Sequence, residues 1–136
     1  MAFGGSAIIS EGCGIRVDSG VLTIGSQFYC NKNCFIRITC NANIGNDCMF
    51  GWNVKLNTTD GHPVIFNGKE KQSEGSITIG NHVWIGSDTA VTKNAQIPDD
   101  SLICQNSLVN KKFTCKNSLI GGIPAKIIAD GYNWVR

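Results

Sequence analysis

Two residues in this chain could exchange a proton near neutral pH, the histidines His62 and His82. An imidazole titrates close to neutrality, so its neutral form can accept a proton at pH 7. His62 closes the segment Asn53-Val54-Lys55-Leu56-Asn57-Thr58-Thr59-Asp60-Gly61-His62-Pro63. Asp60, two residues earlier, can orient the ring or serve as the turn residue ahead of Gly61, and a backbone carbonyl could orient the ring instead. Outside a motif a loop histidine is ordinarily a surface residue, and His82, in the turn Gly80-Asn81-His82, is read as one. Lys111 and Lys112 could meet phosphate charge or form a solvated turn.

Seven cysteines offer other chemistry, but their number is odd and no CxxC pair occurs, so zinc-site spacing is absent. Several fall where a small apolar side chain is wanted, and they are read as reduced thiols filling a core. The chain has 136 residues, 42% hydrophobic and 16% charged, which suits one domain and excludes a disordered chain. A net charge of +2 gives no bulk electrostatic pull toward nucleic acid. No apolar run long enough to span a membrane occurs, and Met1 to Ser10 lacks the form of a secretory signal, so the cytoplasm is expected.

The elements that must position these residues are written in a period of six. Ile79, Ile85, Val91, Ile97, Ile103, Val109 and Cys115 recur at that interval, and Val83, Thr89, Ala95, Ser101, Ser107, Phe113 and Leu119 follow each by four. A helix requires a period near 3.6 and a simple strand a period of 2. Six, with two inward positions, means short strand, turn, short strand, turn. In the first half Ile38, Ile44 and Phe50 keep the interval, as do Ile24, Cys30 and Ile36, with a two-residue slip between the series read as one longer turn. Ile15 and Val21 are plausible earlier members.

Three such units close a triangular coil of roughly 18 residues, and coils stack about 4.8 Å apart through parallel strand hydrogen bonds. Aliphatic side chains then form columns inside the prism, such as Ile79, Ile97 and Cys115, with small residues beside them. No coil buries its own inner face, so stability comes from stacked neighbours, and the ends need caps.

The repeat covers most of the chain and resembles the left-handed β-helix, hexapeptide-repeat acyltransferases. Three segments narrow the resemblance. Asn53 to Pro63 resembles the catalytic-histidine segment of maltose, galactoside and polysaccharide O-acetyltransferases. Ile77-Thr78-Ile79-Gly80-Asn81-His82-Val83-Trp84-Ile85-Gly86-Ser87 resembles the coil that follows it. Gly122-Ile123-Pro124-Ala125-Lys126-Ile127-Ile128 resembles their C-terminal segment. The left hand of the coil is implied by the resemblance alone, since general rules favour right-handed crossovers. No counterpart is expected here for the helical segment that precedes the coil in the maltose and galactoside enzymes. The final Tyr132-Asn133-Trp134-Val135-Arg136 is closer to surface-polysaccharide modifying enzymes, which favours a glycan or glycan-precursor acceptor.

The resemblance implies an all-β domain over residues 1–136, with an inserted active-site loop at about 57–76 and a cap at about 122–136. The insertion breaks the hexads between Leu56 and Ile77, and breaks of this length are functional or disordered. It carries His62 and then a flexible polar stretch, Gly68 to Gly75. The family's site implies His62 as the base that takes an acceptor hydroxyl proton during direct attack on the acetyl-CoA thioester, with Asp60 beside it. Asn53 matches the acceptor-binding asparagine, whose amide both donates to and accepts from sugar hydroxyls. Coenzyme A is expected against Trp84, Ser87, Asn110, Lys111 and Lys126, in a groove between the prisms of a homotrimer, with no metal. Trp84 could instead cover the insertion loop. Pro124 and Gly131 mark the ends of an expected short helix over Ala125 to Asp130, with Ile127 and Ile128 capping the prism base.

Three other readings compete. An N-acetyltransferase acting on an amino sugar or sugar nucleotide would use the same base. A γ-type carbonic anhydrase needs three metal-binding histidines, and this chain has two. A non-enzymatic β-helix scaffold would ignore coenzyme A altogether.

Overall fold

The computed structural model describes residues 1–136 and contains strands and turns but no helix. The first coil holds β1 (Ala2–Phe3), β2 (Ala7–Ile9) and β3 (Gly14–Val17), and the second β4 (Val21–Ile24), β5 (Phe28–Cys30) and β6 (Phe35–Ile38). The third holds β7 (Asn41–Ile44), β8 (Met49–Phe50) and β9 (Lys55–Asn57). A hairpin of β10 (Val64–Phe66) and β11 (Lys69–Lys71) then interrupts the winding. The fourth coil holds β12 (Ile77–Ile79), β13 (Trp84–Ile85) and β14 (Ala90–Thr92), and the fifth β15 (Gln96–Ile97), β16 (Leu102–Ile103) and β17 (Leu108–Val109). Below them lies β18 (Ser118–Gly122), with β19 (Ala125–Asp130) folded back on it.

Corresponding strands stack into three parallel sheets. The first face runs β1-β4-β7-β12-β15, the second β2-β5-β8-β13-β16-β18-β19, and the third β3-β6-β9-β14-β17. The register keeps inward residues in columns: Ile44 lies over Ile79 and Ile79 over Ile97, Phe50 over Ile85 and Ile85 over Ile103, Leu56 over Val91 and Val91 over Val109. All are buried, as are Val83, Thr89, Ala95, Ser101, Ser107 and Phe113 at the second inward position. Ser101, Ser107 and Ser118 satisfy their hydroxyls by donating to the carbonyls of Pro98, Cys104 and Cys115, three residues back, each at 2.7 Å. That local bond is why serine substitutes for alanine inside the prism without an orphaned polar group. Turns between faces are made by residues at positive φ, among them Asp47, Asn53, His82, Asp88, Asn94 and Asn106. Asn and Asp tolerate this region better than other side-chain-bearing residues.

The ends of the expected register need correction. Cys115 is exposed and Leu119 points outward, while Ser118 and Ile120 face the core. The hexad shifts after Phe113, so Ile103 is continued by Ile120. At the other end Val21 is exposed and Leu22 takes the inward place, with Ile15 half-buried. The slip between Ile36 and Ile38 is a lengthened β6 that buries both residues, rather than a wider turn.

Ala125 to Asp130 is a strand, not a helix. It pairs antiparallel with β18, from Gly122 opposite Ala125 to Ser118 opposite Asp130. An open strand edge leaves unpaired backbone groups, and a returning strand satisfies those of β18. β-Branched Ile127 and Ile128 suit that conformation. Both are exposed, so Ala125 and Ile120, not these two, close the base.

Candidate active site

The insertion that carries His62 is a braced structure. Thr59 bridges Glu74, the Asp60 N–H donates to the Ser73 carbonyl at 2.9 Å, and the Gly75 N–H donates to the Thr58 carbonyl at 3.0 Å. The Lys93 ammonium, one coil below, donates to Asp60 Oδ2 at 2.5 Å and to the Gln72 carbonyl at 2.6 Å. It therefore ties both stems of the loop to the turn after β14. The expected flexible stretch, Gly68 to Gly75, is ordered: Gly68 to Lys71 form the second half of the hairpin β10–β11, whose turn holds Asn67 and Gly68, both at positive φ, and Ser73 to Gly75 pair with the loop's first stem. Asn-Gly is the preferred dipeptide for a two-residue hairpin turn, and that signal was present in the sequence.

His62 is exposed at the foot of this hairpin, and its ring makes no hydrogen bond within the chain. Asp60 does not orient it here: the bonded oxygen of Asp60 belongs to Lys93. Asn53 stands at the other end of β9, in the turn between the second and third faces, where its Nδ2 donates to Asp88 Oδ1 at 3.0 Å. Ser87 lies in the turn beneath, accepting the Trp52 N–H at 3.0 Å. Gly51 makes this corner possible, because a Cβ there would lie 2.5 Å from Ser87 Oγ and 2.7 Å from its backbone nitrogen.

The second face carries a groove of about 400 Å³ whose lining includes Tyr29, Met49, Trp52, Trp84, Ser87 and Leu102. Trp84 and Ser87, two of the expected coenzyme A contacts, meet there. Asn110, Lys111 and Lys126 do not line it. Asn110 and Lys111 are exposed at the corner after β17, where Lys111 Nζ lies 5.4 Å from the Phe113 ring centre, and Lys126 is exposed on β19. Tyr29, Met49 and Leu102 escaped the sequence reading. Their signal was there: each directly precedes an inward residue on the same face and so points outward, where a polar residue is the rule. Tyr29, Met49, Trp84, Leu102 and Leu119 form one outward column in register.

His82 is not an idle surface residue. Its ring stacks on Trp134 with centres 3.9 Å apart and planes within 1°. Nδ1 lies 2.6 Å from Asp47 Oδ2, Nε2 lies 2.8 Å from the Trp134 carbonyl, and the Trp134 indole donates to the His82 carbonyl at 2.9 Å. Arg136 adds bonds to Asp47 Oδ1 at 2.6 Å and the Gln27 carbonyl at 2.5 Å. The C-terminal residues thus return up the prism and are fastened at a corner three coils deep, with Trp134 6.0 Å from Trp84.

This winding defines a left-handed parallel β-helix of hexapeptide-repeat type. No protein-family model matches the chain. It is 36% identical over 109 residues to the galactoside O-acetyltransferase of Escherichia coli K12, and 34% identical over 116 residues to the polysialic acid O-acetyltransferase of E. coli O1:K1. These alignments take in 79% and 84% of the chain but 53% and 36% of the two relatives, so the chain spans about half of their length or less. A galactoside acetyltransferase solved in complex with coenzyme A superposes with a TM-score of 0.82 at 29% identity, over 99% of this chain and 72% of that one. By sequence kinship and by fold, the chain groups with the hexapeptide-repeat acetyltransferases.

Proposed function

We propose that the protein transfers an acetyl group from acetyl-CoA to a carbohydrate hydroxyl, with His62 as general base, in a site shared between subunits of a trimer. The observation that carries this reading is the position of His62: an unengaged imidazole on a braced hairpin, the one insertion in an otherwise regular prism. In the proposed step the neutral imidazole takes the acceptor hydroxyl proton as that oxygen attacks the thioester carbonyl. The tetrahedral intermediate collapses with loss of the coenzyme A thiolate, and the imidazolium returns its proton. No covalent acyl-enzyme is required. Asp60 acts through Lys93, by holding the loop, rather than on the ring. Asn53 receives the acceptor, and the outward apolar column with Trp84 and Ser87 receives the pantetheine arm.

Two features support a site built from two copies. Asn53 and the His62 loop leave from opposite ends of β9, and three strand residues span about 10 Å. The hairpin also exposes Val64, Ile65 and Phe66, an apolar tip that a neighbouring prism would cover. The test is thermal unfolding with acetyl-CoA, with a nucleotide lacking the pantetheine arm as control, followed by thiol release against hydroxy and amino sugars. Ligand at 100 times its dissociation constant adds about 2.7 kcal/mol to the native state, which raises the midpoint by several degrees. No rise with acetyl-CoA would favour a scaffold, and release with amino sugars alone would favour N-acetylation.

A further inference from the structure

Three thiols meet near the N-terminal end of the prism, on the inner side of the wall whose Asn31 and Gly51 line the groove. Cys13, Cys30 and Cys34 come from the turn before β3, the end of β5 and the turn before β6. Their sulfurs all lie within 4.8 Å of one another, with Cys13 and Cys30 3.7 Å apart. None is in a disulfide. We propose that these three sulfurs form a binding site for a single soft monovalent cation, Cu(I), in trigonal coordination.

The geometry sets the coordination number. A three-coordinate ion at a metal–sulfur distance of about 2.3 Å holds its sulfurs about 4.0 Å apart, within the span seen here. No fourth cysteine, histidine or carboxylate joins the cluster. Structural zinc almost always takes four ligands, whereas thiolate sets select Cu(I). The gap between the thiols, walled by Phe28, Ile36 and Ile15, has no room for a water molecule. A bare ion bonded to the sulfurs themselves needs no such room.

The Cys13 and Cys34 thiols donate to the carbonyls of Asn31 and Gly51 at 3.0 and 3.1 Å, and these are protons that a bound ion displaces. The backbone N–H groups of Val54 and Asn53 face the Cys34 sulfur. Cys13 is only half-buried and gives an ion a way in. Binding exchanges thiol protons for the ion and releases them to solvent, with no change of oxidation state.

The test uses the reduced protein under argon, titrated with Cu(I) as its acetonitrile complex against a bathocuproine chelator. One equivalent is expected to bind, with X-ray absorption showing three sulfur neighbours. Cys13→Ser should weaken binding at least about tenfold, since even outer-sphere changes cost that much. Cys115→Ser, whose thiol is exposed elsewhere, should not. Alkylation mapped by mass spectrometry needs no variant: one equivalent of Cu(I) should shield Cys13 from iodoacetamide and leave Cys115 reactive. Unchanged affinity in Cys13→Ser, a two-sulfur copper site, or equal shielding of Cys13 and Cys115 would each overturn the site.

Discussion

Asp47 and His82 face each other across one turn of the prism, carboxylate Oδ2 to ring Nδ1 at 2.6 Å, while the other ring nitrogen meets the Trp134 carbonyl. Both partners are acceptors, so the two bonds are made together only when both ring nitrogens carry protons, as in the imidazolium. Its pKa follows. Burial works to lower it, but the bonds to Asp47 and to the Trp134 carbonyl, with the charges of Asp47 and Asp100, raise it above the ordinary 6.5. Burial likewise works to raise Asp47, and the bonds from His82 and Arg136 hold it below the ordinary 3.8.

The fastening of the C-terminal residues is therefore pH-dependent, with a sign that can be worked out. A raised His82 pKa adds stability that is complete below 6.5 and is lost as pH climbs through the folded value. A lowered Asp47 pKa adds stability that is present above 3.8 and is lost as pH falls through the folded value. The tail should hold best between these limits. Trp134 fluorescence should report its release on the alkaline side, and His82→Gln should abolish that transition. An alkaline transition of the same midpoint in His82→Gln would assign it to another group.

A second prediction concerns Lys93, which touches no proposed substrate. A partly exposed ion pair contributes about 1 kcal/mol or less, so Lys93→Met should shift the unfolding midpoint by only a few degrees. The loop stems should loosen nonetheless. Limited proteolysis between His62 and Gln72 should accelerate, and transfer should fall by about tenfold or more, because small misplacements of a base cost heavily. Transfer at the parental rate with a proteolysed loop would show that the brace does not position His62.

The sequence made some of this legible and hid the rest for physical reasons. From Ile79 to Val109 every sixth residue must fill a column, so periodicity alone sets the register. Beyond Phe113 the coil ends, the constraint lapses, and Cys115 and Leu119 leave the core. The helix expected after Pro124 rested on local signals, whereas an unpaired edge of β18 decided for a strand. The His82–Trp134 contact joins residues 52 apart through no periodic pattern, and only the fold brings it into view. The outward column of Tyr29, Met49 and Leu102 was readable, had the residue before each inward position been compared face by face.

Packing at the corner beside the groove gives a third prediction. Gly51→Ala sets a methyl 2.7 Å from the Ser87 backbone nitrogen, which belongs to the adjacent coil and cannot turn aside, and forces the Ser87 hydroxyl, 2.5 Å away, out of its present rotamer. Overpacking of this kind costs about 1–3 kcal/mol. The unfolding midpoint should fall accordingly, and the Trp52 N–H to Ser87 bond should be lost. If the site is where we place it, acetyl-CoA binding should weaken as well, measured by calorimetry on the folded variant. A variant as stable as the parent would mean that the two coils separate at this corner without cost.

The shared site makes the last prediction, and the sharpest. His62→Ala should lose transfer by about 10² to 10⁴ while still binding acetyl-CoA, the range that general-base catalysis supplies. Asn53→Ala should lose acceptor recognition through a different residue. If His62 of one copy faces Asn53 of its neighbour, co-assembly of the two variants rebuilds intact sites. In a closed ring with random, equal mixing, a given interface pairs an intact His62 with an intact Asn53 about one time in four, so about a quarter of parental activity should return. Each variant alone should stay inactive. If both residues serve one site within a single chain, mixing restores nothing, because every chain carries a lesion. The same samples measured by light scattering report whether mixed trimers formed, so absence of activity in confirmed trimers would place the site inside one prism and remove the interface from the mechanism.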